Sequence, residues 1–454
     1  MPSNRLARFV GLTIVVALSH GVGPVWAGEP TAADNHQRML RLLQIDALRR
    51  GADGDPASPH AANYDEARAN GLMHTLPDPL RMDDGRAVTD AETWWRARRP
   101  EIVAHFEREI YGRAPQPAPT VRWTTRDESS RTIGGVAVDT RSLEGVVDNA
   151  AFSGIEVAIA LELSVPARAA GAVPVVLELG FDPEVLKGFL ARFSEDEIRA
   201  FNGGSRDWRE QVVARGWAFA ELVATSVQAD SGDGLTRGII GLANRGRQRS
   251  PEDWGALRAW AWGIGRAVDY FEQDPRIDAA RVAIEGHSRF GKAALVAMAF
   301  DQRIAAAYIS SSGEGGAKLW RRNFGEQVGN IAGSGEFHWV AGNFLRYAGP
   351  LTAADLPVDA HHLIALCAPR PVFIGAGSAG DAWVDPKGMF LAARAAGPVY
   401  ELLGATSLGA AEFPSPGTAL TDGDIAWRQH EYGHSPGPNW SYFLDFTERY
   451  FHED

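Results

Sequence analysis

The sequence predicts an α/β fold, a mostly parallel sheet wrapped by helices as a three-layer sandwich, with a helical extension at its N-terminus. Three observations predict it. Two continuous β-rich runs, "VPVVLELG" at 173–180 and "GWAFAELVA" at 216–224, fit strands in a sheet covered on both faces. Strand and helix patterns then alternate toward the end of the chain, the order that gives a parallel sheet. Finally, the strand "RVAIEG" at 281–286 runs almost directly into the helix "RFGKAALVAMAF" at 289–300, with only His287 and Ser288 between them.

Residues 1–27 have the pattern of a secretory signal. Arg5 and Arg8 precede the apolar run "FVGLTIVVAL", which is too short to span a bilayer, and "VWA" offers a cleavage site after Ala27. The mature chain is expected to start near Gly28, in the periplasm or outside the cell, with an uncleaved anchor as the alternative. No later segment is long and apolar enough to span, so no membrane contact is expected after cleavage. Residues 28–120 are expected to form an extension packed on the core. Within it "DNHQRMLRLLQI" has an amphipathic helical pattern, and "GADGDPASPHAANYD" is a Gly, Pro and Ala rich loop. A helical pattern follows from Thr89, its expected N-cap, to Gly112, with Pro100 predicting two helices or a kink.

The main domain is expected over residues 121–454. "VAVDTRSLE" and "EVAIALELSVP" have the pattern of antiparallel strands. A long helix is predicted from Pro251 to about Gln273, with Ser250 as N-cap, Pro251 in first position and Asp253 closing a capping-box-like pattern. After the strand–serine–helix unit come the strands "IAAAYIS" and "RPVFIGAG". A final helix runs from Asn439 to Phe451, with Trp440, Phe443, Leu444, Tyr450 and Phe451 at helical spacing.

Composition narrows the function. The net charge of −12 is unlike the basic face of a nucleic-acid binder. One cysteine, Cys367, excludes an internal disulfide, and its apolar run "LIALCAPRPVFI" predicts a buried, inert thiol. His361 and His362 open a helix after Asp359. A metal site would need a third convergent ligand, which the sequence does not provide, so no metal is expected. Trp254, Trp260 and Trp262, placed on the long helix, are expected to pack in the core.

Ser288 sits where a strand ends and a helix begins. Sheets of this type bind ligands outside the carboxyl ends of their strands. The α/β-hydrolases place their nucleophile in this strand, sharp turn, helix context. Gly286 supplies the small residue such a turn needs. The usual second glycine of G-x-S-x-G would fall at Phe290, whereas here it is Gly291. Serine is equally a favoured N-cap, so the turn alone leaves nucleophile and cap both open. Arg289 and Lys292 lie in the first helical turn, where the macrodipole disfavours cations. Lys292 also shares a face with Ser288, one turn away. A cap requires neither cation. A site that meets an oxyanion or sugar hydroxyls does, and solvated surface cations are the alternative.

In α/β-hydrolases the acid and then the histidine follow the serine. Of His430, His434 and His452, the last lies at the chain end, and His430 has the character of a surface or capping residue. His434 lies in the loop "EYGHSPGPNW" before the final helix, the expected place for a histidine reaching over the sheet edge.

Four segments, "GHSRFGKAAL", "SSSGEGGAKLWRR", "GDAWVDPKG" and "YGHSPGPNW", resemble the glucuronoyl esterases of carbohydrate esterase family 15. The family pattern G-x-S-R-x-G-K is met by Gly286, Ser288, Arg289, Gly291 and Lys292. His287 stands where fungal members have cysteine, so the chain is more similar to the bacterial branch. The resemblance spans about residues 90–454 and implies an α/β-hydrolase catalytic domain and a serine esterase that needs no cofactor. It implies that Ser288 is the nucleophile, that His434 is the base and that Arg289 contributes to the oxyanion hole. Lys292, Glu326 and Trp383 would line a uronic-acid pocket, with a helix-surface carboxylate as the alternative for Glu326. Many members carry a catalytic Glu 23 positions after the serine, where this chain has Ser311. The acid is therefore expected in the loop after "RPVFIGAG". Asp385, before Pro386, fits a helix cap. Asp381 has no such duty and is the expected acid, with Glu314 a third candidate. The implied substrate is the ester between 4-O-methylglucuronate of glucuronoxylan and lignin alcohols, hydrolysed by a monomer. An acetyl esterase on the same scaffold and a non-catalytic carbohydrate-binding protein are the alternatives.

Overall fold

The computed structural model describes residues 30–451. The expected signal segment, the start near Gly28, and His452 lie outside the described residues. Among those described, ten strands form one sheet. They are β1 (Val121–Ile133), β2 (Val136–Val147), β3 (Ala158–Pro166), β4 (Val173–Gly180), β5 (Ala218–Val223), β6 (Ile277–His287), β7 (Ala306–Ser310), β8 (Val372–Gly377), β9 (Ala419–Leu420) and β10 (Ile425–His430). Their spatial order is β1-β2-β3-β5-β4-β6-β7-β8-β10-β9. The run from β5 to β10 is parallel. The segment β1 to β3 and the short β9 add antiparallel edges.

The helices used below are α1 (Ala32–Leu43), α2 (residues 91–110), α3 (Glu195–Phe201), α4 (Trp208–Val213), α5 (Ala256–Phe271), α6 (Arg289–Phe300), α7 (Ala360–Ala365), α8 (Pro386–Leu402) and α9 (Trp440–Phe451). Every position of β7, β8 and β10 is buried, as parallel strands covered on both faces require. On one face the large core gathers Ile264, Val268, Leu295, Leu363 and Phe390 from α5 to α8. On the other, α4 and α9 close over Val176, Phe219, Ala283, Tyr308 and Phe373. There Trp208 stacks on Trp440 with ring centres 4.8 Å apart. From the extension, Trp94, Ile102, Phe106 and Ile110 of α2 join the larger core.

Several local expectations change. The N-cap of α2 is Asp90, whose carboxylate accepts the Thr93 N–H at 2.8 Å, and not Thr89. The helical path runs through Pro100 without a break. A π-type stretch, Trp94–Arg98, ends two positions before the proline, which is the second residue of the α-helical turn that follows, so the missing N–H falls where the bonding pattern changes. Helix α5 starts at Ala256, not Pro251. The Asp253 carboxylate does accept the Ser250 N–H, at 2.6 Å, but this pair closes a separate turn. The helix starts after Gly255, where a Cβ would stand 2.2 Å from the Trp339 carbonyl oxygen. Trp254 thus precedes the helix. It is buried like Trp260 and Trp262. Cys367 is buried too, which pushes its thiol up to about 12. His361 and His362 sit at the start of α7. The first bonds the Pro77 carbonyl at 2.8 Å, and the second accepts the Asp359 N–H at 3.3 Å.

Candidate active site

Ser288 occupies the N-cap position of α6 but makes no side-chain capping hydrogen bond. Its backbone, at φ 57° and ψ −125°, is in a region that L-residues rarely adopt, with a cost on the order of 1–3 kcal/mol that the surroundings must hold in place. The glycines make the turn possible. A Cβ at Gly286 would lie 2.2 Å from the Phe290 carbonyl oxygen, and one at Gly291 would lie 2.8 Å from the carbonyls of Gly286 and Ser310. The displaced second glycine therefore meets the same steric need. The Ser288 N–H donates to the Ser310 carbonyl at 2.9 Å, tying the turn to β7.

His434 comes to this corner on the loop before α9. Its ring centre lies 4.3 Å from that of His287, the neighbour of Ser288. Its Nδ1 is 2.7 Å from Asp381 Oδ1, and the Asp381 side chain is only 2% exposed. Asp381 Oδ2 accepts the Gly377 N–H at 2.8 Å and the Ser311 hydroxyl at 2.7 Å. With Nδ1 engaged, Nε2 is the nitrogen that can face a serine hydroxyl. Ser311 thus serves the aspartate as a hydrogen-bond donor.

The other acid candidates are engaged elsewhere. Asp385 caps α8 through the Gly388 N–H at 3.0 Å and also accepts Arg322 Nε at 2.8 Å. Glu314 Oε2 accepts Lys318 Nζ. Burial pushes the Glu314 carboxyl up to about 8 despite that cation. His430 is not a surface or capping residue but the buried last residue of β10. Its Nε2 lies 2.9 Å from the Ser435 carbonyl and its Nδ1 accepts the Tyr432 N–H at 3.2 Å, so it shapes the loop that carries His434. Asn202, just past α3, accepts the Ser435 hydroxyl at 2.5 Å on the same loop.

Both cations beside the serine are engaged rather than solvated. Lys292, 4% exposed, donates to Glu326 Oε2 at 2.9 Å and to the Glu314 carbonyl at 2.5 Å. Glu326 is buried and off any helix, and its Oε2 also accepts the Glu314 N–H at 3.0 Å. Arg289 donates to Asp230 Oδ2 at 2.6 Å. Its guanidinium lies 5.3 Å from the centre of the Trp339 ring, and Lys292 Nζ lies 5.6 Å from the same ring. Trp383 is partly buried, and its carbonyl accepts the Glu326 N–H at 2.8 Å. The segments bearing Trp383 and Glu326 are thus joined backbone to backbone.

Four residues here escaped sequence reasoning. Asp230 Oδ1 takes Trp339 Nε1 at 2.6 Å and lies 2.9 Å from His338 Nε2. Burial disfavours its charge, but the His338 bond and Arg289 outweigh burial and hold the carboxyl well below the usual range. Glu336 has one buried oxygen with no hydrogen-bond partner among the described residues. Burial, aided by Glu326 and opposed by Lys292 and Arg289, pushes it up to about 7. Asp230 lies beyond the carboxyl end of β5, a place where such sheets hold ligands, and that was its one sequence signal. His338, Trp339 and Glu336 carried none. Among the described residues no group of three or more His, Cys, Asp or Glu could hold a metal ion.

The corner therefore holds a strained serine beside an imidazole with a buried carboxylate on its far nitrogen. Two cations and two carboxylates stand next to it, able to bind a polar, anionic or hydroxylated group. Comparison with known proteins points the same way. A family model described as "Glucuronyl esterase, fungi" matches residues 248–404. The chain is 35% identical to carbohydrate esterase MZ0003 of an unknown prokaryotic organism, over 91% of this chain and 98% of that one. It is 29% identical to 4-O-methyl-glucuronoyl methylesterase 1 of Wolfiporia cocos, covering 82% and 83% of the two chains. Its structure is similar to that of a CE15 glucuronoyl esterase from Teredinibacter turnerae, with TM-score 0.88, 48% identity, and coverage of 93% of this chain and 100% of that one.

Proposed function

Since the chain belongs to the glucuronoyl esterases of carbohydrate esterase family 15, which are carboxylic ester hydrolases, we propose that Ser288, His434 and Asp381 form its catalytic triad. The contact of His434 Nδ1 with Asp381 at 2.7 Å, beside the strained serine turn, carries this reading. Ser288 Oγ attacks the C6 carbonyl of a glucuronate ester while His434 Nε2 takes its proton. Asp381 fixes the histidine tautomer and stabilises the imidazolium. The proton then passes to the leaving alcohol. Water, activated by the same histidine, frees the uronate and restores the serine. The Arg289 N–H, at the start of α6, and the Arg289 guanidinium face the oxyanion. A preorganised donor of this kind contributes about 3–4 kcal/mol. Lys292, Glu326, Glu336 and Trp383 bind the sugar.

The finer reading is a secreted monomer that cleaves the ester joining 4-O-methylglucuronate of glucuronoxylan to lignin alcohols. The 4-O-methyl-glucuronoyl methylesterase of Wolfiporia cocos supports the uronate part of it. The signal pattern ending at Ala27 supports export. Hydrolysis of methyl 4-O-methylglucuronate, compared with an aryl acetate, tests the function. Turnover should favour the uronate ester. Activity on acetate alone would identify an acetyl esterase, and activity on neither a binding protein. A protein recovered from the exported fraction with its N-terminus still at Met1 would contradict signal cleavage.

A further inference from the structure

The mechanism above leaves His287 without a task. It is the last residue of β6, paired in register with Ser310 of β7, and its Nδ1 lies 3.0 Å from the Ser310 hydroxyl. The Ser310 carbonyl also takes the Ser288 N–H, so one residue of β7 holds both the serine turn and the imidazole next to it. His434 sits instead on a loop, with its side chain 28% exposed. Its bond to Asp381 anchors one edge of the ring. A ring held at one edge can still swing about that bond, and a contact on its face is needed to fix its plane. His287 provides that contact, at 4.3 Å between centres and 55° between planes.

We propose that His287 is a positioning residue, the wall that sets the His434 ring so that Nε2 points at the Ser288 hydroxyl. This rests on the reading of His434 as the base. The side chain suits the place. Burial, and then the charges of His434 and His430, hold His287 well below the ordinary histidine range, while the His434 backbone pulls the other way. A neutral ring can stand beside the His434 imidazolium, where a lysine or arginine would repel it.

A double-mutant cycle tests this, with kcat and KM measured on methyl 4-O-methylglucuronate for His287→Ala and His287→Phe in the wild-type and His434→Ala backgrounds. His287→Ala should lower kcat about 10²-fold, the scale of a misplaced catalytic group, with KM changed less than about threefold. His287→Phe keeps a ring face but loses the bonds to Ser310 and to the His434 backbone, and should stay within about tenfold of wild-type kcat. In the His434→Ala background, neither substitution should change the residual rate more than about twofold, because a residue that acts through His434 has nothing left to act on. Melting curves check that each variant is folded. If His287→Ala does not fold, the cycle runs on His287→Phe against His287→Leu, which fills the space without a ring and should lose at least tenfold more. Equal fractional losses in both backgrounds, or normal kcat for His287→Ala, would overturn the proposal. If His434→Ala itself turns over normally, the assignment of the base fails first, and this inference falls with it.

Discussion

Asp385 caps α8 and also pairs with Arg322, and both side chains are wholly buried. The cap was legible from the Asp-Pro pair. The ion pair was not, because Arg322 lies 63 residues away in sequence and only the fold joins them. The difference matters for substitution. Asparagine replaces an aspartate cap well, but breaking a buried ion pair costs on the order of 3–5 kcal/mol. Asp385→Asn should therefore lower unfolding free energy by about 3 kcal/mol or more while the folded fraction keeps near-normal kcat. Denaturant unfolding checks this, and a loss under about 1 kcal/mol would leave only the cap. The two cations divide differently. Arg289→Lys should lower kcat with modest change in KM, since a point charge cannot reproduce the guanidinium fork and oxyanion contacts form mainly in the transition state. Lys292→Met should chiefly raise KM for uronate esters. Steady-state kinetics on both variants decide, and a change in Arg289→Lys confined to KM would move that residue to ground-state binding.

At the scale of elements, the segment Gly325–Glu326 lies against Trp383. Gly325 has φ +59°, and a Cβ there would lie 2.2 Å from the Trp383 carbonyl oxygen. Gly325→Ala should push the two segments apart, displace Glu326, and raise KM for uronate esters several-fold more than it lowers kcat. Kinetics within twofold of wild type would show that the segment relaxes freely. What the sequence shows about elements follows from how locally they are determined. Helix α6 has the expected bounds, because a sharp serine turn starts it and its apolar residues are continuous. The start of α5 was misplaced because a capping-box pattern forms a turn five residues early, while the true start depends on a contact with Trp339. Strand β10 was missed since Arg428, Gln429 and His430 look solvent-exposed in sequence. Their partners, Asn439, the Gly377 carbonyl and the Ser435 carbonyl, are supplied by other segments.

For the whole molecule, the alternation of strands and helices carried the fold class, and the chain order of serine, acid and histidine carried the site's outline. The second layer, Asp230, His338 and Trp339, had no local pattern. The fold also buries carboxyls, fully at Glu285 and Glu314 and partly at Glu178. Burial raises Glu178 to about 7, with Arg209 opposing and Glu221 adding, and raises Glu314 to about 8 and Glu285 well above its ordinary value. A carboxyl raised in the folded state keeps a proton that the unfolded chain releases above 4.5, so stability falls as pH rises through the folded value. His36, His287, His361, His362 and His430 are held low by burial and work in the opposite sense, but only below their ordinary 6.5. Between about pH 6.5 and 8 the carboxyls dominate. The melting temperature should therefore fall across that window, and Glu285→Gln should flatten the slope. A melting temperature that rises across it would contradict this balance.

The triad itself is tested most directly by kcat of Asp381→Asn on methyl 4-O-methylglucuronate. Asp381 Oδ2 accepts from both Gly377 N–H and Ser311 Oγ, so an asparagine would place its oxygen there and turn its NH₂ toward His434 Nδ1. That fixes the proton on Nε2, where it cannot take one from Ser288. The predicted fall in kcat is about 10⁴-fold, in a variant that still folds. Turnover near the wild-type rate would show that Asp381 is not the acid and would contradict the account.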